Sequence, residues 1–201
     1  IYKNNGPVFL FESVEGGGRS GRYSFLSASA RTDIRVYKED VEIRENGSSN
    51  RVSHNGDPLK ILKDFMAKYN PAEVKGLPRF WGGMVGYLTY EMVSFIENIP
   101  NHWPDAKPLA QFMIPDEILI FDNIRNTLLA VVITFLENSS DPEEYYKEAD
   151  QRINLLLKKM SLPLQAGDDS TKEYTVQSQI KEETYRASVK KAKKYIMEGE
   201  I

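Results

Sequence analysis

Between Asp33 and Arg44 apolar and charged side chains take turns, with Ile34, Val36, Val41 and Ile43 interleaved with Arg35, Glu42 and Arg44. A period of two places the apolar set on one side of an extended chain and the charged set on the other, so this segment belongs to a sheet with one wet face. Other stretches rich in Val, Ile, Phe and Tyr, at residues 8–12, 22–28, 117–122 and 127–135, are separated by turn-forming residues and predict further strands. Asn46-Gly47-Ser48-Ser49-Asn50 predicts a turn into a short return strand, and Asp122-Asn123-Ile124-Arg125-Asn126 carries a hairpin signature. Phe80 to Leu88 predicts a buried strand whose glycines Gly82, Gly83 and Gly86 admit close neighbours.

Helical signals fall between these strands without regular alternation. Asp57-Pro58 supplies a cap and a first-turn proline, and Leu59, Leu62, Phe65, Met66 and Tyr69 share one helical face that ends before Pro71. Residues 89–97 predict a second helix, leading into a proline-rich excursion from Pro100 to Pro108. Asp141-Pro142-Glu143-Glu144 opens a third, with Tyr145, Ala149, Ile153, Leu156 and Leu157 on its apolar face. Consecutive strands with interspersed helices and no internal repeat predict an α+β fold, an antiparallel sheet core with packed helices. A mixed Pro, Gly, Gln, Asp, Ser and Thr stretch at 162–178 reads as a linker between a domain at 1–161 and a helix at 179–201.

Composition excludes some classes of function. The 201 residues contain no cysteine, which removes disulfides, thiolate metal sites and cysteine nucleophiles. A formal net charge of -3 gives no general attraction to nucleic acid or anionic lipid. No apolar run approaches the roughly 20 residues that span a bilayer, and no secretory leader opens the chain, so neither nucleic acid nor membrane is an expected partner and a cytoplasmic location is expected. The chain starts at Ile1 and ends within a helical pattern, so both ends are expected to be cuts. The sequons at Asn46 and Asn138 read as chance matches.

Several short motifs point less far than their letters. Gly16-Gly17-Gly18-Arg19-Ser20-Gly21 fits the dinucleotide fingerprint, but the strand pattern Tyr23-Ser24-Phe25-Leu26 follows where a phosphate-binding helix is required. His54 and His102 lie apart in loop-like regions and read as exposed loop histidines. Lys190-Lys191-Ala192-Lys193-Lys194 reads as the solvated face of an amphipathic helix that carries Tyr185, Val189, Ala192 and Ile196 on its other side. Trp81 and Tyr87 read as core aromatics.

The stretch Pro7 to Leu26 is an apolar strand, a glycine turn and a second strand. It puts Glu12 and Ser13 at the end of one strand and Arg22 at the start of the next. By their chemistry these are either solvated side chains at a strand end or a pocket for a small zwitterion: a hydroxyl and a carboxylate can satisfy an ammonium, and a guanidinium can satisfy a carboxylate.

Leu10-Phe11-Glu12-Ser13 and Gly21-Arg22-Tyr23-Ser24-Phe25 resemble the effector-site segment of the anthranilate synthase large-subunit family, roughly Leu-Leu-Glu-Ser followed by Gly-Arg-Tyr-Ser-Phe, with Phe11 in place of a leucine. Leu77-Pro78-Arg79-Phe80-Trp81-Gly82-Gly83-Met84-Val85-Gly86-Tyr87 resembles a second block of that family, and the run from Tyr185 to Ile201 resembles the helix that opens its chorismate-binding domain. The resemblance implies the N-terminal, regulatory part of an enzyme that makes anthranilate and pyruvate from chorismate and ammonia. It implies L-tryptophan as feedback effector at Phe11, Glu12, Ser13 and Arg22, a glutamine amidotransferase small subunit as partner, and magnesium held by residues beyond Ile201. It implies no catalytic residue and no metal ligand within this chain. Two other readings remain open: the large subunit of aminodeoxychorismate synthase or another chorismate-utilising enzyme, and a non-catalytic small-molecule-binding domain.

Overall fold

The structure, a computed structural model, describes residues 6–12, 21–136, 141–163 and 175–200. The chain divides into two compact units, residues 1–162 and 163–201. Among the described residues the first is built on one seven-stranded antiparallel sheet. Its strands are β1 (Phe9–Phe11), β2 (Tyr23–Val36), β3 (Asp40–Glu45), β4 (Ser48–Ser53), β5 (Val85–Leu88), β6 (Ala110–Asp122) and β7 (Thr127–Val132). The order is β4-β3-β2-β6-β5, with β1 added to β2 and β7 to β6.

The long strands β2 and β6 form the spine, paired from Tyr23 opposite Asp122 to Val36 opposite Ala110. Their register shifts between Leu26 and Thr32, where the Ser29 amide donates to Ser27 Oγ at 3.3 Å and that hydroxyl donates to the Ser29 carbonyl at 3.2 Å. Pro115 sits opposite Ala30 in this irregular stretch, the one kind of place where a sheet interior tolerates a residue with no amide hydrogen. The proline is why residues 110–116 carried no strand signal in the sequence, although β6 runs through them. The β3–β4 connection is tight: Asn46 and Gly47 take φ of 50° and 76°, the left-handed pair that matches strand twist in a two-residue hairpin.

The alternation at 33–44 is obeyed by most of the apolar set but not by all of the charged one: Asp33 and Glu42 are buried, held by the Arg35 and Arg44 guanidiniums at 2.9 Å, and Ile43 is only partly buried. Ile34, Val36 and Val41 are fully buried and join Leu109, Ala110 and Ile114 in a core closed by Leu62 and Phe65 of helix α1 (Pro58–Met66) and by Met92. Asp57 caps α1 by accepting from the Lys60 amide at 3.0 Å. A second cluster holds Phe9, Val85 and Met113, with Phe25, Ala30 and Phe80 packed against it. A third gathers Ile118, Ile120 and Val131, with Tyr23, Trp81 and Ile133.

Helix α2 (Pro142–Met160) starts at Asp141, which accepts from the Glu143 amide, and buries Leu156. Arg152 fastens it to β6, reaching Asp116 at 2.8 Å and Glu117 at 3.0 Å, while Ser29 Oγ donates to the other oxygen of Asp116 at 2.5 Å. Helix α3 (Glu182–Glu198) lies in the second unit, ends at Gly199 with φ of 74°, and has no buried residue. Lys194 pairs with Glu198 within it, consistent with a solvated lysine face.

Several expectations need correction. The strand expected from Phe80 to Leu88 is only β5, because Gly82 and Gly83 keep the chain out of the ladder; Gly83 has φ of 108°. The expected helix at 89–97 is a 3-10 helix over Tyr90–Phe95. Tyr87 is half exposed on the short edge strand β5 rather than in the core. Leu59 and Leu157 point outward. His54 is buried, not a loose loop residue: its Nδ1 accepts from the Gly56 amide at 3.0 Å, its Nε2 lies 3.1 Å from the Tyr37 carbonyl, and its ring meets Phe95 edge-on.

Candidate functional site

Strands β1 and β2 pair with Phe11 opposite Phe25, which brings the two halves of the sequence motif side by side. Tyr23 and Phe25 are two residues apart on β2 and therefore project to the same side of the sheet. Phe80, from the irregular segment before β5, meets Phe25 edge-to-face at 5.0 Å and 83° and approaches Phe9 at 6.4 Å. Phe11, Glu12, Tyr23, Phe25 and Phe80 together line a cavity of about 270 Å³. The lining is almost wholly aromatic, with Glu12 the one acidic residue in it, a composition that suits a small aromatic ligand carrying a cation.

Phe11 and Glu12 line the cavity. Ser13 lies outside the described residues. Arg22 is not in the lining; its Nε and Nη2 donate to Asp122, the closest contact being 2.8 Å, and its guanidinium carbon lies 4.8 Å from the centre of the Tyr23 ring.

Asp122 is buried at the end of β6 and also accepts from the amides of Ile124 and Arg125 at 3.1 Å, which folds the β6–β7 turn around it. The Arg22 hydrogen bonds, aided by those two amides and opposed by burial, lower its carboxyl from the ordinary 3.8 to about 2. Asn123 completes the clasp. Its amide donates to the Arg22 carbonyl at 2.7 Å, and its side-chain amide donates to the Gly21 carbonyl at 3.0 Å and to Ser24 Oγ at 3.3 Å.

A second cleft of about 410 Å³ is lined by Tyr37, Lys38, Glu39, Asp40, Arg51, Asp105 and Ala106. Its cations are already engaged, Lys38 with Asp105 at 2.6 Å and Arg51 with Asp40 and the Tyr37 ring. The aromatic cavity is therefore the stronger site. Among the described residues no group of His, Cys, Asp and Glu is arranged to hold a metal ion, and no helix is long and apolar enough to cross a membrane.

Of the residues that line this cavity, the sequence singled out Phe11 and Glu12 and not Tyr23, Phe25 and Phe80. Tyr23 and Phe25 stand inside the Gly-Arg-Tyr-Ser-Phe block at a spacing of two, a signal that both face one way. Phe80 had no such signal, because the backbone before β5 follows no regular period.

A model of the chorismate binding enzymes matches residues 7–201, and the chain belongs to that family. Its relatives there include anthranilate synthase component 1 of Acetivibrio thermocellus, 34% identical over 211 residues that cover 100% of this chain and 42% of that protein. The component 1 of Pseudomonas aeruginosa is 33% identical, over 96% of this chain and 40% of that one. This chain thus spans about two-fifths of the length of these relatives. The crystal structure of anthranilate synthase component I from Streptococcus pneumoniae shares the fold, with a TM-score of 0.56 at 20% identity over 93% of this chain and 41% of that one.

Proposed function

We propose that this chain is the N-terminal, regulatory part of an anthranilate synthase large subunit and that the aromatic cavity is its L-tryptophan effector pocket. The observation that carries the proposal is the convergence of Phe11, Glu12, Tyr23, Phe25 and Phe80 on one small cavity, within a chain similar from end to end to proteins of that name. Aromatic lining suits an indole, and the carboxylate of Glu12 suits the ammonium of an amino acid. Ser13, next along the chain, is on this reading the source of a hydroxyl for the effector, while Arg22 stands outside the lining, paired with Asp122.

The complete enzyme on this reading converts chorismate and ammonia to anthranilate and pyruvate. A glutamine amidotransferase subunit delivers the ammonia. Magnesium and the elimination chemistry belong on this reading to the part of the protein beyond this chain. Inhibition is then a coupling free energy between two separate sites, so residues of this pocket alter tryptophan sensitivity and leave turnover without effector nearly unchanged.

The test is tryptophan inhibition of the complete enzyme carrying Ser13→Ala. Loss of a hydrogen bond to an ionised group costs about 1.5 to 3 kcal/mol, so the inhibition constant should rise roughly ten- to a hundredfold. Unchanged inhibition in a folded Ser13→Ala enzyme would place the effector elsewhere.

A further inference from the structure

Arg22 is the one charged residue of the sequence motif that the structure leaves out of the cavity lining, and its surroundings assign it a different task. We propose that Arg22 is a positioning residue: it fixes the Tyr23 ring as a wall of the pocket, anchored by Asp122 and the β6–β7 turn, and does not itself bind the ligand's carboxylate. This rests on the tryptophan reading of the pocket and refines it.

Three observations carry the inference. First, Nε and Nη2 of Arg22 both face Asp122, so the fork that would grip a carboxylate is already filled by one. Second, Asp122 cannot move aside with its cation. It is buried and holds the amides of Ile124 and Arg125, so releasing Arg22 would leave a buried charge while the turn keeps it in place. Third, the guanidinium lies 4.8 Å over the Tyr23 ring, and that ring stands 6.1 Å from Phe25 in the pocket wall. Asn123 fastens the backbone before Tyr23, through the Gly21 and Arg22 carbonyls, and the side chain that follows it, through Ser24 Oγ. Backbone and ring are thus held from one turn, and the guanidinium is the link between that turn and the wall.

The experiment is a double-mutant cycle for tryptophan binding, read by calorimetry on the complete protein with wild type, Arg22→Gln, Tyr23→Leu and both together, repeated with L-tryptophanamide. Arg22→Gln leaves the two backbone bonds of Asp122 intact, so the turn should persist, and thermal unfolding checks that it does. A cation over an aromatic ring is a modest interaction, so Arg22→Gln should weaken tryptophan about three- to tenfold. It should have no further effect once Tyr23 is Leu, and the amide should lose affinity in the same proportion as tryptophan. A full loss from Arg22→Gln in the Tyr23→Leu background, a loss confined to the ligand with a free carboxylate, or no loss in either would overturn the inference. Failure of wild type to bind tryptophan at all would instead remove the effector reading on which it stands.

Discussion

Asp122 shows how one side chain can join a turn, a strand and a binding wall. It accepts from Arg22 Nε and Nη2 and from the amides of Ile124 and Arg125, and its carboxyl is held at about 2. A carboxylate with a depressed pKa contributes stability that is fully present above its unfolded value, roughly 3.9, and is lost as pH falls through the folded value. Wild type should therefore lose stability between about pH 4 and pH 2 partly through this group. Asp122→Asn should be less stable at neutral pH and should show a shallower decline over that interval, measured by chemical denaturation at a series of pH values. An unaltered acid decline would separate Asp122 from acid stability. Gly86 makes a contrasting case of steric constraint: a Cβ there would collide with the Gln111 carbonyl oxygen and come within 2.6 Å of Phe112 Cα, across the β5–β6 pairing. Gly86→Ala should cost about 1 to 3 kcal/mol, the range for overpacking, seen as a lowered denaturation midpoint. Of these two residues only the glycine had been marked by the sequence as a place of close approach. Asp122 was visible merely as the start of a hairpin turn, because its partner Arg22 lies a hundred positions away in the chain and no local pattern encodes that pairing.

Helix α2 and strand β6 mark what a local period can and cannot convey. In α2 the cap at Asp141 followed from its Asp-Pro-Glu-Glu start, and the helical period put both Leu156 and Leu157 inward; Leu156 is buried, but Leu157 faces solvent. Leu156→Ala should destabilise by about 2 to 5 kcal/mol through lost burial and the cavity left behind. Leu157→Ala should stay within about 0.5 kcal/mol. Equal costs in urea titrations of the two variants would contradict the placement of this helix. Strand β6 escaped the sequence over residues 110–116 because Pro115 normally ends a central strand, and its place in the register irregularity opposite Ala30 depends on Ser27 and Ser29 far upstream. The 80–88 stretch failed in the opposite direction: its apolar content announced a strand, and glycine backbone geometry restricted the pairing to Val85–Leu88.

At the scale of the whole molecule, an antiparallel sheet with helices followed from runs of strand patterns, and the family followed from two motif blocks in order. The site followed only halfway. Its motif residues on β1 and β2 were legible, whereas the cavity also needs the stretch around Phe80, more than fifty residues further along the chain. Because the chain spans about two-fifths of its anthranilate synthase relatives, the purified 201-residue chain should form no anthranilate from chorismate, ammonia and magnesium. A fluorescence assay for anthranilate checks this, and turnover by the chain alone would locate chemistry within it. The central claim is that Phe11, Glu12, Tyr23, Phe25 and Phe80 form the tryptophan pocket, and Phe80 tests it best because it belongs to neither half of the effector motif. The most direct measurement is calorimetric titration of the complete protein with L-tryptophan, wild type against Phe80→Ala, with chorismate turnover followed in parallel. Wild type should bind one tryptophan per chain, and Phe80→Ala should weaken that binding about tenfold, the loss of aromatic contacts worth roughly 0.5 to 1.5 kcal/mol together with buried area, while turnover without tryptophan is retained. Wild-type affinity in a folded Phe80→Ala protein would contradict the account.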